Sequence, residues 1–210
     1  MATTTTNYGF DIPQSTDLVK DGATAIATLG QDIDTAMNTA LGTKKAGMVL
    51  LNTTSFSAVA TQSINSVFSA TYDNYRIVVN TSASATTSGQ IRMNLRASGA
   101  DLALNEYRNG GLLMRSTAAN ANFNANGVDQ WRLTESLITN GTIGLSIDII
   151  SPFLSQLTKM NYVTSGQDAS SIIGVVGGGI YGDNASADGI KLAVTAGTIT
   201  GTISVYGYNK

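Results

Sequence analysis

Hydrophobic and polar positions change their period twice along the chain, dividing it into three segments. In residues 1–14, MATTTTNYGFDIPQ, Tyr8, Phe10 and Ile12 alternate with other residues ahead of Pro13. Pro13 disfavours helix at the residue before it, so the pattern predicts an extended arm. Three apolar side chains on one face of so short an arm cannot bury themselves, which calls for disorder or for docking on another surface. Over residues 15–45 the period becomes helical. Apolar or small residues fall at Leu18, Gly22, Ile26, Leu29, Ile33, Ala36 and Ala40, and from Gly22 onward the spacing runs 4, 3, 4, 3, 4. That is a heptad seam. Ser15 or Thr16 can cap the helix, Asp17 suits its first turn, and Gly42 stands where it should stop. Two readings of the seam compete. A surface helix would lay the stripe on the following domain; a short parallel coiled coil would bring two or three chains together. Gly22, Ala36 and Ala40 let helices approach closely but bury little area. A bundle this short therefore needs the attached domains to associate as well.

From residue 46 to 210 the helical period is gone, and short runs with strand character follow at fairly even spacing. The clearest is Gln90–Ala97, where Ile91, Met93, Leu95 and Ala97 alternate with Arg92, Asn94 and Arg96. This is the signature of a half-buried antiparallel strand. Further strands are predicted at 48–51, 75–79, 112–115, 128–134, 143–150, 157–163, 172–180, 190–194 and 199–208, separated by turn signals such as Asn109-Gly110-Gly111 and Asp188-Gly189. No βαβ alternation occurs, which argues against a parallel α/β sheet. No fixed repeat of the kind that builds a β-helix or propeller emerges either. The expected fold is mainly β: an antiparallel sandwich or jelly-roll head behind one N-terminal helix and an arm.

Composition narrows the chemistry. There is no Cys and no His in 210 residues, and charged residues make up 12%, against about 25% in an average globular protein. Ser-His-Asp and Cys-His catalysis and ordinary zinc sites are thereby excluded, so the expectation is a non-enzymatic protein without a cofactor. The net charge of −2, with Lys44-Lys45 as the one basic doublet, gives no electrostatic reason to expect nucleic acid. No apolar run is long enough to span a membrane, and the N-terminus shows neither the basic nor the apolar region of a secretory signal.

The remaining candidates each have a plain structural alternative. Gly174–Gly182, GVVGGGIYG, lacks the Lys and following helix of a phosphate loop; it reads as a glycine-rich strand or bulge where backbones approach closely. Asp168, Asp183, Asp188 and Asn184 could hold Ca²⁺ but lack EF-hand spacing, and Asp and Asn are ordinary turn residues. Glu106 and Glu135, the two Glu residues, would have to meet across a cleft to cut a polysaccharide as a depolymerase spike does. Trp131, Tyr107 and Tyr181 could stack on a sugar ring as receptor contacts, or fill the core or a subunit seam.

Two stretches resemble bacteriophage virion proteins, chiefly tail fibre and minor tail proteins. One is TTNYGFDIPQSTDLVKDGATAIATLGQDID, residues 5–34; the other is TITGTISVYGYNK, residues 198–210. FSATYDNYRIVV, residues 68–79, is similar to an early strand pair of the same β heads. The resemblance implies a segment that attaches to other virion proteins through Tyr8, Phe10, Ile12 and Pro13. It also implies a homotrimer with its register set along Gly22, Ile26, Leu29, Ile33, Ala36 and Ala40. The distal β head would then meet a host surface glycan or protein. A capsid decoration or cement protein that braces the shell is the alternative within the same group.

Overall fold

The computed structural model describes residues 3–6, 8–12, 18–42, 47–84, 89–135, 141–167 and 171–209. The chain divides into two compact units, Met1–Gly47 and Met48–Lys210.

In the first unit the expected extended arm is instead a small hairpin. Strands β1 (Thr3–Thr4) and β2 (Asp11–Ile12) pair antiparallel. Thr5 closes the hairpin: its N–H donates to the Phe10 carbonyl at 2.9 Å, and its hydroxyl accepts from the Phe10 N–H at 2.9 Å. Gly9 makes the turn at φ +69°, a left-handed conformation that glycine adopts without a Cβ clash. Helix α1 then runs Val19–Met37 and ends in one π-helical turn, Asn38–Gly42. Pro13 and the predicted caps Ser15, Thr16 and Asp17 lie outside the described residues. The residue at the helix start is Leu18, extended at φ −66° and ψ 140°, with no side-chain cap, and the first-turn acid is Asp21.

The strands of the second unit are β3 (Met48–Val59), β4 (Thr61–Ile64), β5 (Asn74–Ser84), β6 (Ile91–Ala97), β7 (Ala100–Asp101), β8 (Tyr107–Arg115) and β9 (Ala121–Val128). After them come β10 (Trp131–Arg132), β11 (Thr142–Ile150), β12 (Lys159–Gln167), β13 (Ile172–Tyr181), β14 (Gly189–Val194) and β15 (Thr198–Tyr208). Eight form one sheet in the order β3-β15-β5-β11-β12-β13-β8-β9; the second sheet runs β10-β6-β14-β4, with β7 beside β6. Every pairing is antiparallel. The fold is therefore mainly β, an antiparallel sandwich with one N-terminal helix, as the periodicity predicts.

Alternation builds the core. In β11, Ile143, Leu145, Ile147 and Ile149 are all buried while the residues between them face out. Tyr75, Ile77 and Val79 of the neighbouring β5 do the same, and Ile91, Met93 and Leu95 of β6 meet them in one cluster from the opposite sheet. Each such side chain contributes about 1.5–3 kcal/mol by leaving water.

The chain passes repeatedly between the sheets, and two of the tightest passages escape simple periodicity. At Ala60 the chain leaves the large sheet, where Val59 opposes Ile199, and enters the small one, where Thr61 opposes Ala193. The second crossing corrects the predicted strand 128–134. Val128 closes β9 opposite Tyr107 in the large sheet, whereas Trp131 opposes Met93 in the small one. Side chains hold this crossing: Asn94 Nδ2 donates to the Asp129 carbonyl at 2.7 Å, and Asn109 Nδ2 to the Arg132 carbonyl at 2.9 Å. The Thr164 hydroxyl donates to the Leu133 carbonyl at 2.9 Å, and the Thr134 hydroxyl accepts from the Ile91 N–H at 2.8 Å. Buried backbone groups that lack a ladder partner are satisfied this way.

Candidate functional site

The arm and the helix stripe, separate features of the sequence, form one site. Tyr8 and Phe10 stack with ring centroids 5.6 Å apart and planes 17° off parallel. Together with Ile33, Ala36, Met37 and Ala40 they line a groove of about 350 Å³. The small side chains at Ala36 and Ala40 leave the space that the two rings stand over, a use of those positions that heptad spacing alone does not show. Met37, off the heptad seam, joins the lining because the groove lies along one flank of the stripe.

The site is nevertheless open to solvent. Tyr8 is 74% exposed, Ile12 37%, Ile26 66% and Ile33 40%. The structure thus sorts the predicted seam into two stretches. Ile33, Ala36 and Ala40 lie under the arm, while Gly22, Ile26 and Leu29 continue the stripe toward the helix start. What this surface can do is hold apolar groups, with Asp32 beside the groove.

The aromatic residues considered as receptor contacts are corrected outright. Trp131, Tyr107 and Tyr181 are each fully buried. Tyr107 meets Trp131 edge to face with centroids 5.1 Å apart, and lies 4.8 Å from the Tyr181 ring. Their polar ends are used internally: Trp131 Nε1 donates to the Ile180 carbonyl at 3.2 Å, and the Tyr107 hydroxyl accepts from the Leu95 N–H at 3.0 Å. Burial pushes the Tyr107 hydroxyl well above its ordinary range and the Tyr162 hydroxyl up to about 12. Alternation in β8 and β13 turns Tyr107 and Tyr181 inward, and sheet crossing does so for Trp131.

The other sequence candidates do not converge. Glu106 pairs with Arg108 at 3.4 Å and Glu135 with Arg132, so the two carboxylates serve separate arginines. Asp188 ties loops: its carboxylate accepts from the Ser98 N–H at 2.8 Å and its carbonyl from Val67 and Phe68. Asp168 lies outside the described residues. Among the described residues no three of His, Cys, Asp and Glu gather as a metal site would require, and no helix is long and apolar enough to cross a membrane. The glycine run lies in β13, where a Cβ at Gly177 would stand 2.6 Å from the Gly110 carbonyl oxygen and 2.8 Å from the Tyr162 ring. Compared with known proteins, the chain matches no family model and no curated sequence.

Proposed function

We propose that the chain is a non-enzymatic structural protein of a bacteriophage virion, a homotrimeric fibre or spike. The arm around Tyr8, Phe10 and Ile12 docks on other virion proteins. The stripe through Ile26 and Ile33 joins three helices and sets their register, and the β sandwich is carried outward to meet the host surface. The observation that carries this reading is the apolar stripe, with Ile26 66% exposed ahead of the arm and Ile33 still 40% exposed beneath it, in a chain whose β unit has a complete core of its own. A helix stabilised by packing needs its apolar face covered, which neighbouring helices meeting along a heptad seam would do; the number three rests on the likeness to fibre proteins. The likeness of residues 5–34 and 198–210 to tail fibre and minor tail proteins supplies the virion setting.

Two measurements test it. Antibodies against the β unit should label intact particles, and the protein in solution at micromolar concentration should have three times the chain mass. Its absence from purified particles, or a monodisperse monomer, overturns the reading. Label spread over the shell, with adsorption intact but heat resistance lowered on deletion, assigns the protein to capsid decoration instead.

A further inference from the structure

The outer face of the large sheet carries four glycines, three of which answer no steric need of the fold. Gly110 and Gly178 are direct partners across β8 and β13. Gly174 and Gly144 flank Ser165 in register across β13, β12 and β11. Strand alternation turns all four outward, beside the exposed Leu112 and Val176 and away from the buried Leu113, Val175 and Leu145. Their backbones are not in the left-handed region, which among glycines is occupied by Gly9, Gly99, Gly127 and Gly197. Nor is space the reason at Gly110, Gly144 and Gly174, whereas the backbone of β12 confines Gly178. A Cβ at Gly110 would meet nothing nearer than 4.0 Å, at Gly144 the Ser165 hydroxyl at 3.5 Å, and at Gly174 the flexible end of Met114 at 3.3 Å; Gly178 is the tightest, 3.2 Å from the Met160 carbonyl. The inward Gly111 and Gly177 differ, since a Cβ there would lie 2.5 and 2.6 Å from backbone oxygens. Glycine inside a strand costs about 0.5–1 kcal/mol relative to alanine, and it marks places where another backbone or ligand comes close.

Between the two glycine lanes stands an apolar ridge. Leu112, Val176 and Val163 are successive register partners across β8, β13 and β12, 43, 47 and 52% exposed. On one side of it a groove of about 540 Å³ runs over Gly110 and Gly178; on the other, one of about 370 Å³ runs past Gly144 and Ser165 to Ile172. Ile172 is 68% exposed.

We propose that this face is where a second copy of the chain packs, the Leu112–Val176–Val163 ridge of one copy bedding in a glycine-floored groove of its neighbour. Three observations select a second copy as the occupant. Ridge and groove lie side by side on one surface, so each copy offers both halves of the contact. The register rows through Val176 and Gly174, from β8 to β15, contain no charged residue, so the ridge carries no charge into either groove, while Arg108 and Lys159 border the groove over Gly110 and Gly178. Five strands at about 4.8 Å and four outward rows at about 6.7 Å give roughly 600 Å² before side-chain relief, close to the ~800 Å² each partner buries in a standard interface. With three copies, each ridge enters the next copy's groove and the ring closes; that number rests on the fibre reading, whereas the surface does not.

The chain has no native cysteine, so single cysteines report the contact in the full-length protein. Val176→Cys on the ridge is compared with Ala119→Cys, an exposed loop position, by the rate of reaction with a maleimide probe, alongside mass in solution. The expected result is an oligomer in which the ridge cysteine reacts at least tenfold more slowly, the two rates converging on dilution to monomer. Gly110→Val supplies the second arm: a β-branched residue suits the strand, so melting of the monomer should hold or rise while the dissociation constant for self-association increases at least tenfold. A trimer with equal cysteine rates, or Gly110→Val assembling like the parent, overturns the interface and leaves the fibre reading standing. A dimer with a protected ridge upholds the interface and sinks the trimer.

Discussion

Tyr107 and Trp131 meet edge to face, centroids 5.1 Å apart and planes at 88°, although one belongs to the large sheet and the other to the small. This contact makes the sheet crossing at Asp129-Gln130 part of the core. Trp131 is the protein's only tryptophan and is fully buried, so it reports on that junction alone. Native emission should be blue-shifted, moving to the red in one urea transition that coincides with the loss of β-sheet circular dichroism. Trp131→Ala should cost about 3–5 kcal/mol. Red-shifted emission from the native protein would place the indole in water and refute the packing.

Glycine substitutions should separate the two units. A Cβ at Gly177 would press on the Gly110 carbonyl and the Tyr162 ring, neither of which can swing away cheaply, so Gly177→Ala should lose about 1–3 kcal/mol of β-unit stability. Gly30, exposed on α1, has nothing within 4 Å of the same position, and alanine there should favour the helix by about 1 kcal/mol. Thermal melts followed at helix and sheet wavelengths distinguish the effects. Equal behaviour of the two variants would contradict the close backbone approach between β8 and β13.

The pH response follows from which groups titrate. With no histidine or cysteine, no side chain of ordinary pKa changes charge between about pH 6 and 8, and the melting temperature should be flat there. Tyr75, Tyr107, Tyr162, Tyr181 and Tyr208 are all shifted upward, chiefly by burial, Tyr162 to about 12. Above about pH 10 the unfolded chain loses tyrosine protons that the folded chain keeps, so stability falls as pH rises from there through 12. A melting series across pH 6–12 checks both parts, and a mid-range step would reveal a titrating group that the fold does not account for.

Legibility of the fold depended on how many sides of a strand are buried. Strands β6 and β11 have one clean apolar face, and alternation predicts their positions to within a residue or so. Strand β9, ANFNANGV, escapes alternation because it is an edge: Phe123 alone is a large inward side chain, and the outward Asn122 and Asn124 read as turn residues. The other edge, β3, shows only its first residues for the same reason, its polar middle NTTS resembling a loop. Charged or polar edges resist pairing with other chains, so the property that hides them also protects the protein. Of the candidate site, the arm and the stripe could be read separately. Their meeting is a tertiary contact with no periodic signature, as is the inward turn of Trp131.

The arm–helix groove gives the last prediction. Tyr8 and Phe10 stand over Ile33, Ala36 and Ala40, so removing both rings should loosen the hairpin yet leave the separate core of the β unit intact. The double variant Tyr8→Ala/Phe10→Ala should therefore melt with an unchanged sheet transition. If the arm is the docking segment, the variant should also be incorporated into particles at no more than about a tenth of the parent level, the tenfold loss that about 1.4 kcal/mol of docking energy represents. Burying two aromatic side chains in a partner is worth more than that. Conversely, if the stripe joins helices of neighbouring copies, Ile26→Asp should leave the arm in place but weaken self-association, because a carboxylate would then face an apolar seam. Quantitative blots of purified particles and sedimentation of the free protein separate the two effects. Full incorporation of the double variant would move the docking role away from the arm.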